Sequence, residues 1–344
     1  MRIAAIAHAV PSRRMTNAEV VALVREQSRS RIGSEGADRV GDLVARFLDA
    51  AGTDVRYRLA DDEKAIDVVL RASRDALAEA GVAPGDVDLV LYTGVARGWM
   101  EPAMATVIQA ELGLERATSF DVLDACAGWL RALHVAHSHL RSGDYRVALV
   151  VNCECGLYRD YVDFAFDGVT GVEHRLASFT VGEAATGTVI TADAPDDALF
   201  VFRTFPQHYR LCMLPLRAQP HFEAAEPDAR YVPERLFALS RPLLTAGTRR
   251  LIELWEEASH LRVRTHDIVF GHNPSEPACA LVARRLGVQD RYFPTHKAYG
   301  NTVSAALPLG MSVARAAGRL HRGDRVLLAV GSAGITVGFS SLTF

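Results

Sequence analysis

Apolar and polar positions along the chain follow two periods, and these periods predict a series of strands and helices. Residues 3–10 form a short apolar run typical of a first strand, and Thr16 with Glu19 has the spacing of a helix capping box. The polar segment 27–36 predicts a loop. Residues 61–80 carry apolar side chains at helical spacing. Strands that alternate with helices in this way predict a layered α/β fold.

The second half of the chain repeats the pattern of the first. A predicted strand at 87–92 leads to a helix, a turn that contains Cys126, a second helix and another strand. A predicted strand at 267–270 leads through the same order, with Asn301 in the corresponding turn. The repeat predicts two duplicated βα halves, residues 1–195 and 196–344. Packing of the halves about a pseudo-twofold axis would bring the two turns together.

Composition and charge exclude several classes of protein. The chain has 344 residues and a net charge of -3 with mixed signs, which gives no basic stripe for nucleic acid. Its five cysteines are scattered and odd in number, so they predict no disulfide framework and favour the cytoplasm. The first ten residues are too short for a signal peptide, and no apolar run is long enough for a membrane span. Small-molecule or protein-borne substrates are expected.

Cys126 is the first candidate for chemistry. It lies between the predicted strand at 118–124 and a helix that begins near Leu130. The positive end of a helix dipole favours a thiolate, so the position predicts a lowered thiol pKa and a nucleophilic sulfur. The alternative is a buried structural cysteine, as most free cysteines are.

His272 is the second candidate, because it follows the predicted strand at 267–270. Sites in α/β folds form where strands end. The chain has twelve histidines, and most histidines are surface or satisfied core residues. Its position relative to Cys126 and Asn301 favours a role in a site.

Four motifs together resemble ketoacyl-acyl carrier protein synthase III, the initiating condensing enzyme of the thiolase-fold superfamily, over nearly the whole chain. They are Asp124-Ala-Cys126-Ala-Gly, Gly271-His272-Asn-Pro, Tyr299-Gly-Asn301-Thr and the glycine-spaced segment 331–338. The resemblance implies a five-layered αβαβα fold, a homodimer, and acyl transfer from coenzyme A or acyl carrier protein thioesters. It implies no metal or redox cofactor and no membrane or nucleic-acid partner.

The resemblance also assigns roles by position. Cys126 would take the acyl group, His272 and Asn301 would assist the second half-reaction, and the backbone N–H groups of Cys126 and Ala333 would form the oxyanion hole. The residue types suit these roles, since fixed N–H donors stabilise a tetrahedral oxyanion, and imidazole and amide N–H groups stabilise an enolate. Decarboxylative condensation with a malonyl-type thioester is the reaction that Cys, His and Asn suit best.

Several positions depart from the family pattern. Residues 27–33 lack the tryptophan that usually meets the adenine of coenzyme A, and no basic residue follows His272 closely. Where relatives place an aromatic residue that crosses the dimer, this chain has Trp99, Met100 and Glu101. These differences predict a specialised biosynthetic enzyme, of polyketide or related metabolism, rather than a general fatty-acid initiator.

The segment 202–235 has few helix or strand signals and is rich in aromatic residues and proline. We interpret it as a lid-like insertion that contributes Phe205, His208 and Tyr209 to the substrate pocket; the alternative is a surface connection.

Other functions and other sites stay open at this point. The acyl group could pass to a hydroxyl or amine, the chain could be a non-catalytic partner subunit, or it could be a cysteine hydrolase. Cys153 with Cys155, and His134 with His137, have spacings that favour packing over metal binding.

Overall fold

The computed structural model describes residues 1–193, 197–224, 226 and 228–344. The strands are β1 Arg2–Ala9, β2 Arg13–Thr16, β3 Val55–Arg58, β4 Leu89–Thr93, β5 Thr118–Asp121, β6 Val147–Cys153, β7 Ala185–Thr191, β8 Leu199–Thr204, β9 Cys212–Met213, β10 Phe237–Ala238, β11 Ile268–Gly271, β12 Arg325–Ser332 and β13 Thr336–Thr343. The helices are α1 Asn17–Ala51, α2 Ala65–Ala80, α3 Met104–Leu112, α4 Gly128–Ser142, α5 Leu157–Tyr161, α6 Glu173–Leu176, α7 Ser240–Glu257, α8 Ser259–Arg262, α9 Glu276–Leu286, α10 His296–Tyr299 and α11 Ala306–Ala316.

Two main sheets share one topology. The first has the order β1-β7-β6-β4-β5 and the second β11-β12-β13-β8. In the first sheet β4 runs parallel to β6, and β7 and β1 follow antiparallel. In the second, β11 runs parallel to β12, and β13 and β8 follow antiparallel. The predicted boundary between the halves, at residue 195, lies outside the described residues.

Helices and sheets form five layers. Apolar side chains of α2 and α3 pack on the outer face of the first sheet. Between the sheets, α4 and α11 share one core that includes Trp129, Leu133, Phe270 and Met311. On the outer face of the second sheet, α7 and α9 form a further core. This arrangement confirms the predicted αβαβα fold, and it places the N-termini of α4 and α11 at the centre of the molecule.

The loop predicted at 27–36 is wrong, because α1 continues through it to Ala51. The helix only kinks at Gly33, where φ is 71° and ψ is 173°. Its surface position explains the polar sequence, since only a narrow stripe is buried. On that stripe the Ser28 hydroxyl accepts a hydrogen bond from the Phe166 backbone N–H at 3.0 Å. The predicted capping box at Thr16 and Glu19 is present.

The segment 202–235 is more regular than predicted. Its first residues belong to β8, which pairs with β13 and so forms an edge of the second sheet. A 3-10 helix, Pro206–Leu211, follows, and β9 then pairs with β10. Within the described ranges, no helix is long and apolar enough to cross a membrane.

Candidate active site

Cys126 lies in a tight turn that opens the central helix α4. The turn is a single 3-10 unit, Ala125–Ala127, and Ala125 has a left-handed φ of 43°, which strains a residue that carries a Cβ. Burial raises the pKa of the Cys126 thiol, while the backbone N–H groups of Ala333 and of Cys126 itself lower it to a lesser degree. The lowered pKa predicted from the helix terminus is therefore wrong, because desolvation of the buried sulfur outweighs these donors.

The second half of the chain has the same turn before α11. It is Val303–Ala305, and Val303 has a φ of 52°, which matches the strain at Ala125. The position that corresponds to Cys126 is therefore Ser304. Asn301, predicted to lie in the turn that corresponds to the turn of Cys126, precedes Ser304 by three residues.

His272 and Asn301 face each other. The Nε2 atom of His272 lies 3.2 Å from Oδ1 of Asn301, and that oxygen also accepts the Val303 N–H at 3.0 Å. Burial lowers the pKa of His272 to about 4, against smaller opposite effects of hydrogen bonds to Asn301 and to the Gly331 backbone. The imidazole is therefore neutral at physiological pH. The neutral imidazole has a single N–H, although acceptors at Asn301 and Gly331 lie beside it. Its other ring nitrogen keeps a lone pair that can take up a proton.

Asn301 is fixed by a crossing of two backbone segments at the centre of the molecule. Its N–H donates to the Thr180 carbonyl at 2.8 Å, and its carbonyl accepts the Gly182 N–H at 2.9 Å. A Cβ at Gly182 would collide with the Tyr299 carbonyl oxygen. The close approach of Tyr299 therefore requires a glycine at position 182.

Glu154 is a buried carboxyl group that sequence reasoning missed. One oxygen accepts the backbone N–H groups of Val95, at 3.0 Å, and Ala96, at 3.2 Å. The other accepts the Ser304 N–H at 3.3 Å and the Ser304 hydroxyl. Burial raises the pKa of Glu154 to about 7, and the four hydrogen bonds oppose that shift. Glu154 therefore ties the end of the first sheet to the turn beside Asn301. Its only sequence signal was an acidic residue directly after an apolar strand.

Cys126, His272 and Asn301 line one cavity of about 380 Å³. The six predicted pocket residues do not line it in the single chain. Trp99, Met100 and Tyr209 are exposed on the surface. Glu101 is exposed as well. The predicted insertion does reach the cavity, but through other residues: Cys212, Met213 and Leu214. A role for Phe205 and His208, or for the exposed residues, stays a prediction.

The other clusters take part in packing. His134 stacks on Phe200, with ring centroids 4.7 Å apart, and Cys153 and Cys155 are buried in the outer core of the first sheet. Among the described residues, no group of three or more His, Cys, Asp or Glu side chains could hold a metal ion.

Family models match both parts of the site. Residues 120–204 match the family described as 3-oxoacyl-[acyl-carrier-protein (ACP)] synthase III, and residues 257–344 match its C-terminal model. The two matches together cover just over half of the chain. The first contains Cys126, and the second contains His272 and Asn301.

Relatives and solved structures extend the likeness along the chain. A beta-ketoacyl-[acyl-carrier-protein] synthase III of Rhizorhabdus wittichii is 27% identical and covers 98% of this chain and 97% of its own. The corresponding protein of Clostridium perfringens is 26% identical over 83% of this chain and 86% of its own. A variant of OleA from Xanthomonas campestris matches with a TM-score of 0.84 at 23% identity, over 99% of this chain and 97% of its own. At that identity, the likeness shows a shared fold.

Proposed function

This chain belongs to the 3-oxoacyl-[acyl-carrier-protein] synthase III family of condensing acyltransferases, and we propose that it loads an acyl group onto Cys126 and condenses it with a malonyl-type thioester. The observation that carries the proposal is the convergence of Cys126, His272 and Asn301 on one cavity. Three groups from distant parts of the chain meet there, and a packing role alone does not call for all three.

In the loading step, the Cys126 sulfur attacks the carbonyl carbon of the donor thioester and the donor thiol leaves. Burial keeps the thiol protonated in the free protein, so its proton leaves as the new bond forms. Neutral His272 is the basic side chain that accepts that proton and passes it to the departing donor thiolate, which leaves as the thiol, so His272 is neutral again. The backbone N–H groups of Cys126 and Ala333 hydrogen-bond the sulfur, and in this proposal the same two groups stabilise the oxyanion.

In the condensation step, a malonyl-type thioester loses carbon dioxide and leaves an enolate. An N–H of His272 and the amide group of Asn301 stabilise the enolate oxygen, since both are neutral donors in a desolvated site. The enolate carbon attacks the acyl carbonyl, and the Cys126 sulfur leaves as the thiolate and takes up a proton from water. The product is a 3-oxoacyl thioester.

The donor is an acyl group on coenzyme A or acyl carrier protein, the substrates of the family. We propose a homodimer as the working form, because Trp99, Met100 and Leu123 leave large apolar side chains exposed. The absence of a basic residue shortly after His272 supports a role in specialised metabolism.

The test is the intact mass of the protein after incubation with a series of acyl thioesters, for the wild type and for Cys126→Ala. The wild type should gain one acyl mass, and Cys126→Ala should gain none. The loaded protein is then offered malonyl carrier protein, malonyl-coenzyme A, and small alcohols and amines.

Discharge by a malonyl thioester with release of carbon dioxide supports the proposal. Discharge by an alcohol or amine identifies O- or N-acyl transfer instead, and rapid release of the free acid identifies a hydrolase. If no thioester modifies Cys126, the catalytic proposal is wrong and a partner subunit becomes the better explanation.

A further inference from the structure

The cavity extends far beyond the reacting groups, into the outer layer of the second half. We define the α7–α9 lobe as the part lined by Leu243, Leu244, Gly247, Leu251, Val282 and Leu286. On α7 these residues recur at helical spacing, so one face of the helix borders the lobe over about 12 Å at 1.5 Å per residue. The lobe is therefore longer than a short acyl group needs.

The floor of the lobe is the outer face of the second sheet, and small residues leave it open. Gly271 on β11 is paired with Ala329 on β12, and both line the cavity together with Gly331. Since His272 follows Gly271 directly, the floor runs from the reacting groups into the lobe. An acyl group on Cys126 can therefore extend along it.

The chemistry of the wall selects an uncharged ligand. In the described part of the chain, no Asp, Glu, Lys or Arg side chain lines the cavity. A carboxylate buried there would have no counter-ion, and a chain of amides would lose its hydrogen bonds to water. An alkyl chain loses no hydrogen bonds on entering, and it gains from leaving water.

Gly247 shows where α7 leaves room. A glycine in the middle of a helix is less favourable than alanine, by about 1 kcal/mol. A Cβ at Gly247 would meet no atom within 4 Å, so the space beside it is open. The missing side chain therefore enlarges the lobe.

We propose that the α7–α9 lobe binds the alkyl chain of a long, uncharged acyl group, with Gly247 as a residue that sets chain length. This inference rests on the proposed function, since it names the acyl group that Cys126 carries.

The first experiment compares acyl loading of wild type and Gly247→Leu with unbranched acyl-coenzyme A thioesters from acetyl to palmitoyl, and with glutaryl-coenzyme A. Wild type should load long chains readily and glutaryl poorly. Gly247→Leu should lower the rate of long-chain loading relative to acetyl loading by at least about tenfold, because the leucine occupies the lobe. The matched control is Thr245→Leu, the same new side chain on the exposed face of α7; it should load every chain length as wild type does.

The second experiment separates binding from chemistry. Binding of S-dodecanoyl-N-acetylcysteamine, an uncharged thioester, is measured by calorimetry in Cys126→Ala, which forms no acyl-enzyme, and in Cys126→Ala with Gly247→Leu or with Val282→Phe on the opposite wall. Binding by the first protein and at least about tenfold weaker binding by both others supports the lobe, even if no thioester loads the wild type. Absence of binding of this thioester, or equal binding by all three, overturns it. Circular dichroism verifies that each variant is folded.

Discussion

Glu154 shows how a single buried side chain connects the halves of the site. The carboxyl group accepts hydrogen bonds from Val95 and Ala96 on one side and from Ser304 on the other, and Ser304 is 150 residues away along the chain. The Ser304 hydroxyl also accepts a hydrogen bond from the Asn152 side chain at 2.6 Å. Glu154 thus positions Asn301 through the backbone, without a described contact to that side chain.

The raised pKa of Glu154 predicts a pH-dependent stability. Between its ordinary pKa of 4.5 and its folded value of about 7, the folded protein retains a proton that the unfolded chain has lost. This group therefore makes the free energy of unfolding fall as the pH rises through that window, by about 3 kcal/mol in total. Urea unfolding at pH 5 and pH 8 should show this fall in the wild type, relative to Glu154→Gln, which has no proton to lose. Equal pH dependence of the two proteins would contradict the pKa shift.

Glu154→Gln should also disturb the site. In the glutamine side chain an NH2 group replaces one of the two carboxyl oxygens. That NH2 group then faces other donors, either the backbone N–H groups of Val95 and Ala96 or the N–H and hydroxyl of Ser304. An unmatched buried donor costs about 1–3 kcal/mol. The turn at Val303–Ala305 and Asn301 beside it should shift. We expect a lower rate of condensation with little change in acyl loading of Cys126, as measured by carbon dioxide release and by intact mass.

At the scale of elements, the crossing of the turns at Gly182 and Tyr299 fixes Asn301. Gly182→Ala should push the Tyr299 carbonyl away, because that carbonyl is backbone and cannot rotate aside. The substitution should weaken the bond between the Gly182 N–H and the Asn301 carbonyl, lower the melting temperature and reduce condensation more than loading. Differential scanning calorimetry and the two activity assays measure these effects.

The control for this substitution is Gly85→Ala, since a Cβ at Gly85 meets no atom within 4 Å. It should retain the stability and the activity of the wild type. If Gly182→Ala behaves like Gly85→Ala, the close backbone approach has no part in holding Asn301.

The helices also show which sequence patterns were sufficient to predict secondary structure. Residues 61–80 carry apolar side chains at helical spacing and so predicted a helix; α2 confirms it from Ala65 to Ala80. Residues 27–36 have no such apolar face. Only a few contacts, such as that of Ser28 with Phe166, hold this part of α1 against the rest of the protein. The cysteine, histidine and asparagine motifs indicated the three side chains that meet at the cavity. The desolvation that sets their pKa values depends on contacts between distant residues, so no local pattern contained it.

At the scale of the whole molecule, three histidines should make the protein sensitive to acid. Burial lowers the pKa of His266, His272 and His296 to about 4, with neighbouring arginines adding to the shift of His266 and His296. Between pH 6.5 and 4 the unfolded chain takes up protons that these histidines exclude in the folded protein, so together they lower the stability as the pH falls. Above pH 4.5 the proton that folded Glu154 retains offsets the contribution of one of them. The slope is about 1.4 kcal/mol per pH unit for each histidine.

Urea unfolding followed by tryptophan fluorescence from pH 7 to pH 4.5 measures this loss. His296→Gln should reduce the slope by the contribution of one histidine. The variant should also be less stable at pH 7, because it loses the hydrogen bonds of the imidazole to Thr53, at 2.6 Å, and to the Asn273 carbonyl, at 2.7 Å. A slope unchanged by this substitution would show that His296 titrates normally in the folded protein.

The link between Glu154 and Ser304 has a consequence for biosynthesis. On the ribosome, the strands of the first sheet emerge early and can begin to pair while the second half is still being translated. Until Ser304 arrives, one carboxyl oxygen of Glu154 and one N–H of the Asn152 amide lack their partner and attract water to what later becomes dry interior. The nascent first half should therefore remain a loose, hydrated intermediate. The reacting groups become organised only when translation of the second sheet allows the halves to close, so an unfinished chain has no condensing activity to misuse.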